Sequence, residues 1–256
     1  MQYGICNLSI VPLREAASDR SEMVSQLLFG EVFTILEIKE KWTFIKLAYD
    51  NYEAWIDNKQ FLEINEESFI ALANAKNALA GELSQFVQDK NDLLTVLVLG
   101  SELPYLQNNK LQIADNNYKF EGSIYDVSLG KANIINTAFL YLNAPYLWGG
   151  KTPFGIDCSG FTQMVYKLND VKLPRDASQQ AKLGKTLSFI EESEAGDLAF
   201  FDNEEGNITH VGIIMKNHYI IHASGKVRID RLDQFGIYNA ETKKHSHQLR
   251  IIKKII

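Results

Sequence analysis

The stretch that decides the fold is Asp157-Cys158-Ser159-Gly160-Phe161-Thr162-Gln163-Met164-Val165-Tyr166-Lys167-Leu168. Phe161, Val165 and Leu168 recur at helical spacing, so the segment reads as a helix with one apolar face that begins at the cysteine. A thiol at a helix start feels the positive end of the macrodipole and unpaired N–H groups, which favour thiolate and predict a lowered pKa. The same N–H groups can hold an oxyanion formed beside the sulfur. Gly149-Gly150 and Gly155, just upstream, allow backbone to come close to a ligand.

Working outward, Ile134 to Leu142 has helical spacing and stops before Pro145, and Asp176 caps a short helix running to Leu183. Three strands follow: Leu198–Phe201, His210–Met215 and Tyr219–Ala223. Helices followed by an antiparallel sheet make an α+β domain, expected over residues 130–256.

A cysteine nucleophile needs a base and a group that orients the base. His210 opens one apolar strand and His222 sits in the next, with Lys216-Asn217-His218 as the turn between them. Antiparallel pairing across that turn brings both imidazoles to one face, with His210 toward sulfur and His222 accepting from its other nitrogen. The order cysteine, histidine, polar residue follows the logic of papain-like peptidases without their local sequence. Zinc held by Cys158, His210 and His222 is the competing reading, but no fourth ligand with metal spacing lies nearby, so no metal and no organic cofactor is expected. His245-Ser246-His247 looks like a metal-binding pair but reads better as part of a solvated, charged tail, and Glu191-Glu192-Ser193-Glu194 as a solvated loop.

The first 64 residues are β-rich, from Met23-Val24 through Leu28-Phe29-Gly30-Glu31 and Val32–Ile38 to Trp42–Leu47 and Tyr52–Ile56. Short β-branched and aromatic runs separated by Gly30, Asp50 and Asn51 predict a small antiparallel barrel over residues 1–64. Residues 65–129 read as a second small barrel-like or linker domain with a helix after Glu66, a strand over Leu93–Leu99 and a hairpin at Asn116-Asn117. Cys6 lies in an apolar strand and behaves as a small hydrophobe.

Composition narrows the function. In 256 residues, 46% hydrophobic and 23% charged, the balance is that of a globular chain. A formal charge of −6 lacks the basic stripe of a nucleic-acid binder, and no apolar run approaches the ~20 residues of a membrane span, so neither partner is expected. Two cysteines cannot make a disulfide framework. The first residues have neither a basic region nor an unbroken apolar one, giving the expectation of a cytoplasmic protein, or a periplasmic or secreted one if a leader has been removed. A monomer is expected.

Six ordered blocks carry a resemblance. Tyr146-Leu147-Trp148-Gly149-Gly150, Asp157-Cys158-Ser159-Gly160-Phe161, Pro174-Arg175-Asp176-Ala177-Ser178-Gln179-Gln180, Gly196–Phe201, Thr209–Ile213 and Ile221–Gly225 together resemble the NlpC/p60 cysteine peptidases. The turn Leu28-Phe29-Gly30-Glu31 followed by Trp42-x-x-Ile45 and Tyr52-x-x-Trp55-Ile56 resembles bacterial SH3-type barrels. The resemblance implies a papain-like catalytic domain preceded by one or two SH3-like barrels. It also implies hydrolysis of cell-wall peptides by a triad of Cys158, His210 and His222, with Tyr146 near the oxyanion. The layout is similar to the γ-D-glutamyl-L-diamino acid endopeptidases, which trim free murein stem peptides. By that likeness Glu31 and Tyr52 bind a free N-terminal ammonium, and Trp148, Asp157, Ser159 and Ser178 complete the pocket; Glu53 or Tyr49 could fill the barrel roles instead. Two other functions stay open: a wall-lytic endopeptidase acting on intact peptidoglycan, and a muropeptide-binding protein without catalysis.

Overall fold

The computed structural model describes residues 1–256, apart from the side chains of residues 128 and 129. The chain folds as two units, Met1–Asp126 and Val127–Ile256. Among the described residues no helix is long and apolar enough to cross a membrane.

The first unit opens with β1 (Gln2–Ile5), β2 (Ile10–Arg14), β3 (Met23–Leu28), β4 (Val32–Ile38), β5 (Trp42–Leu47), β6 (Glu53–Asp57) and β7 (Leu62–Ile64), an antiparallel sheet in the order β3-β2-β6-β5-β4-β1-β7. Alternation sends Phe33, Ile35, Ile45, Leu47, Ala54 and Ile56 into its core together with Cys6, Val11, Leu13 and Leu27. Helix α1 (Glu66–Asn74) starts where the Asn65 side chain accepts the Ser68 N–H. Strands β8 (Ala78–Leu79) and β11 (Glu102–Leu103) form a short ladder; β9 (Ser84–Gln88), β10 (Leu94–Val98), β12 (Lys110–Ile113) and β13 (Asn116–Phe120) form a four-stranded sheet. Residues 65–126 are not packed on themselves alone. Leu72, Val87, Leu97, Leu111 and Phe120 share a core with Ile5 and Val32 from the barrel strands and Phe29 from the turn between β3 and β4.

The second unit begins with α2 (Ile134–Phe139), the short ladder β14 (Lys151–Thr152) and β15 (Gly155–Ile156), then α3 (Cys158–Lys167) and α4 (Ala177–Gln180). The helix expected at 158–168 is there, and Asp176 stands at the N-cap of α4 in a capping box with Gln179. Next come β16 (Lys185–Leu187), β17 (Leu198–Asp202), β18 (Ile208–Met215), β19 (Tyr219–Ser224), β20 (Lys226–Asp233), β21 (Gly236–Asn239) and β22 (Lys244–Lys254). Strand β22 pairs with β21 through its first half and with β17 through its second, which closes β17–β22 into a six-stranded barrel. Ala199, Phe201, Ile214, Ile220, Leu232, Ile237 and Ile252 fill its interior. Helix α3 packs against β18 and β19, and all ten of its residues are buried. The tail read as solvated is therefore a barrel strand.

Candidate active site

The nucleophile end is built locally. Asp157 is the N-cap of α3; its Oδ1 accepts the Gly160 N–H at 2.6 Å and its Oδ2 accepts the Gly149 N–H at 2.9 Å. Gly149 holds φ at +75°, a left-handed value that aims this N–H at the carboxylate. A Cβ on Gly160 would sit 2.3 Å from the Gly150 carbonyl oxygen, so the loop presses against the first helical turn only because residue 160 is glycine. Arg175, 2% exposed, donates from Nη1 to Asp157 Oδ1 at 3.0 Å and to Ser159 Oγ at 2.9 Å, and from Nη2 to Asp157 Oδ2. The fork neutralises a buried carboxylate beside the cysteine and ties three segments together.

Cys158 is the first residue after that cap, and the amides of Val211 and Ser159 donate toward its Sγ. Burial, joined by the Asp157 charge, nevertheless pushes the thiol up to about 12. The lowered pKa expected from the helix start is overturned: dehydration and an adjacent carboxylate outweigh two amide donors and Arg175. The resting side chain is a neutral thiol. Tyr146 is half-buried, with its N–H on the Gly225 carbonyl at 3.0 Å. Burial first, then the charges at Cys158 and Asp157, raise its hydroxyl to about 12, so it stays a donor within electrostatic reach of the sulfur.

The base end is assembled by the barrel. Asn217 and His218 adopt φ of 61° and 58° in the turn, and β18 pairs with β19 in antiparallel register. His210 Nε2 lies 2.8 Å from His222 Nδ1, and His222 Nε2 lies 3.0 Å from Asp230 Oδ2. Arg228 clamps the same carboxylate, Nε to Oδ2 at 2.7 Å and Nη2 to Oδ1 at 3.0 Å. Burial works against ionising Asp230, but the hydrogen bonds from His222 and Arg228 prevail and hold it below the ordinary carboxylate value. A carboxylate only accepts, so His222 carries its proton on Nε2 and presents the Nδ1 lone pair. His210 must then donate from Nε2, leaving its own Nδ1 lone pair for another partner. Burial, followed by the neighbouring His222 and His247, keeps the His210 pKa well below its usual value, so the base is neutral.

His210, His222 and His247 offer ring nitrogens within 4.8 Å of one another, which is the group most able to hold a metal among the described residues. Two features oppose chelation. His210 Nε2 and His222 Nδ1 are hydrogen-bonded to each other, and the His210 and His247 rings stack at 4.1 Å with planes 23° apart. Stacked imidazoles point their in-plane lone pairs side by side, whereas a zinc ion needs them to converge at about 2 Å.

Of the residues singled out from sequence, the structure gathers Cys158, Tyr146, Asp157 and Ser159 at the start of α3, and joins His210 to His222. Trp148 is 59% exposed in the loop before β14, and Ser178 is exposed on α4. That α4 motif contributes Arg175 and Gln180 instead: Gln180 donates to the carbonyls of Ser159 and Pro174 and accepts from Thr162. In the first unit Glu31 is 3% exposed, its Oε2 accepting the Leu28 N–H at 2.9 Å, and Tyr52 packs against the barrel core. Sequence reading gave no role to Arg175, Arg228, Asp230 or His247. Arg175 lay inside a recognised motif, while the other three come from strands not foreseen.

The NlpC/P60 family profile matches residues 143–246, the span that holds Cys158, His210, His222, Asp230 and Arg175. Residues 143–246 are an NlpC/P60 domain. A profile described as the bacterial dipeptidyl-peptidase SH3 domain matches residues 13–61, so the first barrel is SH3-like. The chain is 45% identical over 93 residues to the gamma-D-glutamyl-L-lysine dipeptidyl-peptidase of Bacillus subtilis, covering 36% of this chain and 31% of that protein's length. To dipeptidyl-peptidase 6 of Lysinibacillus sphaericus it is 26% identical over 244 residues, covering 84% and 86% of the two chains. A crystal structure of an NlpC/P60 family protein from Bacillus cereus shares the fold, with TM-score 0.83 at 19% identity over 99% of both chains. The fold found is thus an α+β domain of NlpC/P60 type preceded by an SH3-like domain.

Proposed function

We propose that this chain hydrolyses peptidoglycan-derived stem peptides at the γ-D-glutamyl–diamino acid bond, releasing L-Ala-γ-D-Glu from peptides with a free N-terminal L-Ala. The observation that carries the reading is the continuous relay from His210 through His222 to Asp230 and Arg228, beside a thiol that accepts backbone amides. The relatives' names, gamma-D-glutamyl-L-lysine dipeptidyl-peptidase and dipeptidyl-peptidase 6, supply the substrate class.

In this reading the Cys158 Sγ attacks the γ-carbonyl carbon as its proton passes to His210 Nδ1. His210, now cationic, is stabilised through its Nε2–H bond to His222, whose orientation Asp230 fixes. The Cys158 thiol and the His210 imidazole are both neutral at rest, so proton transfer accompanies attack instead of preceding it. The carbonyl oxygen takes negative charge next to the Tyr146 hydroxyl and the helix-start amides, which is where fixed dipoles contribute most. Collapse expels the diamino acid's amine, which takes the proton from His210. Water, deprotonated by His210, then cleaves the thioester and restores the thiol.

Selectivity for a free amino terminus is assigned in this reading to Glu31 and Tyr52. A carboxylate buried to this degree favours an ammonium and disfavours an acylated amine. Action on free peptides in the cytoplasm belongs to the same proposal. The test compares L-Ala-γ-D-Glu-meso-diaminopimelate with its N-acetylated form, following the released dipeptide by mass spectrometry. Cleavage of the free amine alone supports the trimming enzyme. Equal cleavage of both, or activity confined to intact sacculi, replaces it with wall lysis.

A further inference from the structure

His247 lies outside the Cys158–His210–His222–Asp230 chain yet touches its base. In β22 the register passes from Tyr238↔His245 to Ile237↔His247, so Ser246 is the extra residue of a β-bulge. Because His247 pairs with Ile237, a residue of the barrel interior, its side chain turns inward. There its ring stacks on His210, centroids 4.1 Å apart and planes 23° apart, while Ser246 Oγ holds its Nδ1 at 2.9 Å. Phe201 stands 5.7 Å from the same His210 ring, tilted by 46°. His247 also lines a cavity of about 540 Å³ with Phe235, His245, Gln248 and Leu249. His210 itself is 6% exposed.

We propose that His247 is a positioning residue: its ring stands between this cavity and His210, holds the imidazole flat in the plane from which Nε2 reaches His222, and keeps cavity water off the base. The proposal rests on the reading of His210 as the base. The role is one of shape, because a phenyl ring could stack and seal as well, whereas a side chain without a ring could do neither.

The groups facing His210 are few. From β19 comes His222, with Asp230 and Arg228 of β20 behind it. Next to His210 in β18, the Val211 amide donates toward Cys158 Sγ, with Asp157 and Arg175 acting on that sulfur; β17 offers the uncharged Phe201, and β22 offers His247. Burial, with His222 adding to it, pulls His247 down to about 4, so it places no positive charge on His210 at neutral pH. Removing the ring would admit water, ease the dehydration that holds His210 neutral and raise its pKa toward the ordinary histidine value.

The experiment compares His247→Phe, His247→Ala and His247→Gln in the full chain. It measures kcat, KM, the acid limb of kcat/KM and the His210 titration by ¹⁵N NMR. His247→Phe should keep kcat within about threefold of the parent, with the acid limb no higher. His247→Ala should lower kcat about tenfold with KM little changed, and move both the limb and the NMR titration upward. His247→Gln, which fills much of the space without a ring, should follow His247→Ala and replaces it if that variant does not fold. Two results overturn the proposal: a parent-like profile for both ringless variants, or a His247→Phe enzyme as impaired as they are. The latter would mean that a His247 nitrogen is needed. The NMR titration requires no substrate, so if the parent fails to cut the peptide, the substrate assignment falls while the positioning role is still decided.

Discussion

The molecule contains two cysteines outside any disulfide, both buried, one in each unit, and their sulfurs meet different groups. The Cys6 sulfur faces acceptors: it donates to the Leu8 carbonyl at 3.3 Å and the Leu27 carbonyl at 4.0 Å, inside an aliphatic core. The Cys158 sulfur faces donors, the Val211 and Ser159 amides. Carbonyl acceptors suit S–H and repel S⁻, while amide donors tolerate the thiol and welcome the anion when a base removes its proton. Burial alone therefore does not distinguish a structural cysteine from a nucleophile. The sign of the surrounding dipoles does.

The sharpest break is an identical change at both sites. Cys158→Ser should lower peptide turnover by at least about 10³-fold, whereas Cys6→Ser, whose hydroxyl can still donate to Leu8, should leave turnover unchanged. Dipeptide release by mass spectrometry checks both, and an active Cys158→Ser enzyme would end the contrast.

Next in size is the ionic clamp that only Cys158 has. Arg175→Ala leaves the Asp157 carboxylate buried with its cation gone, an expected loss of about 3–5 kcal/mol in urea unfolding. A loss under about 1 kcal/mol would show that water reaches Asp157 and that the clamp does not organise the helix start.

Alkylation reads the thiols directly. With the Cys158 thiol near 12, the iodoacetamide rate should keep climbing, about tenfold per pH unit from 7 to 10, while Cys6 stays unmodified in the folded protein. A plateau already reached at pH 7 would reveal a preformed thiolate–imidazolium pair. On the acid side, the lowered His210 pKa means that kcat/KM should fall only below the ordinary histidine range, as protonation removes the base.

The smallest effect concerns the barrel. Cys6→Ala should cost about 1 kcal/mol, since it removes one small polarizable atom from a packed core, and thermal unfolding measures it.

These contrasts also explain what could be read from sequence. The nucleophile's cap, helix and glycine loop lie within Gly149–Lys167, so local rules sufficed to find Asp157, Cys158 and the helix. The histidine pair was legible because a two-strand hairpin fixes its own register. Asp230 and His247 were not, because their places depend on how β20 and β22 close a barrel and on a bulge at Ser246. A charged, polar Lys244–Gln248 segment gives no hint that alternate residues turn inward. The depressed thiol pKa failed for a related reason: the helix dipole is visible in sequence, whereas the dehydration that opposes it is a property of the packed structure.

Strand β22 has one further consequence. A ribosome delivers Cys158 and its capped helix well before Lys244–Lys254, the strand that closes the barrel and lays His247 on His210. Along the chain, the ring that stacks on His210 therefore follows both the sulfur and the paired histidines.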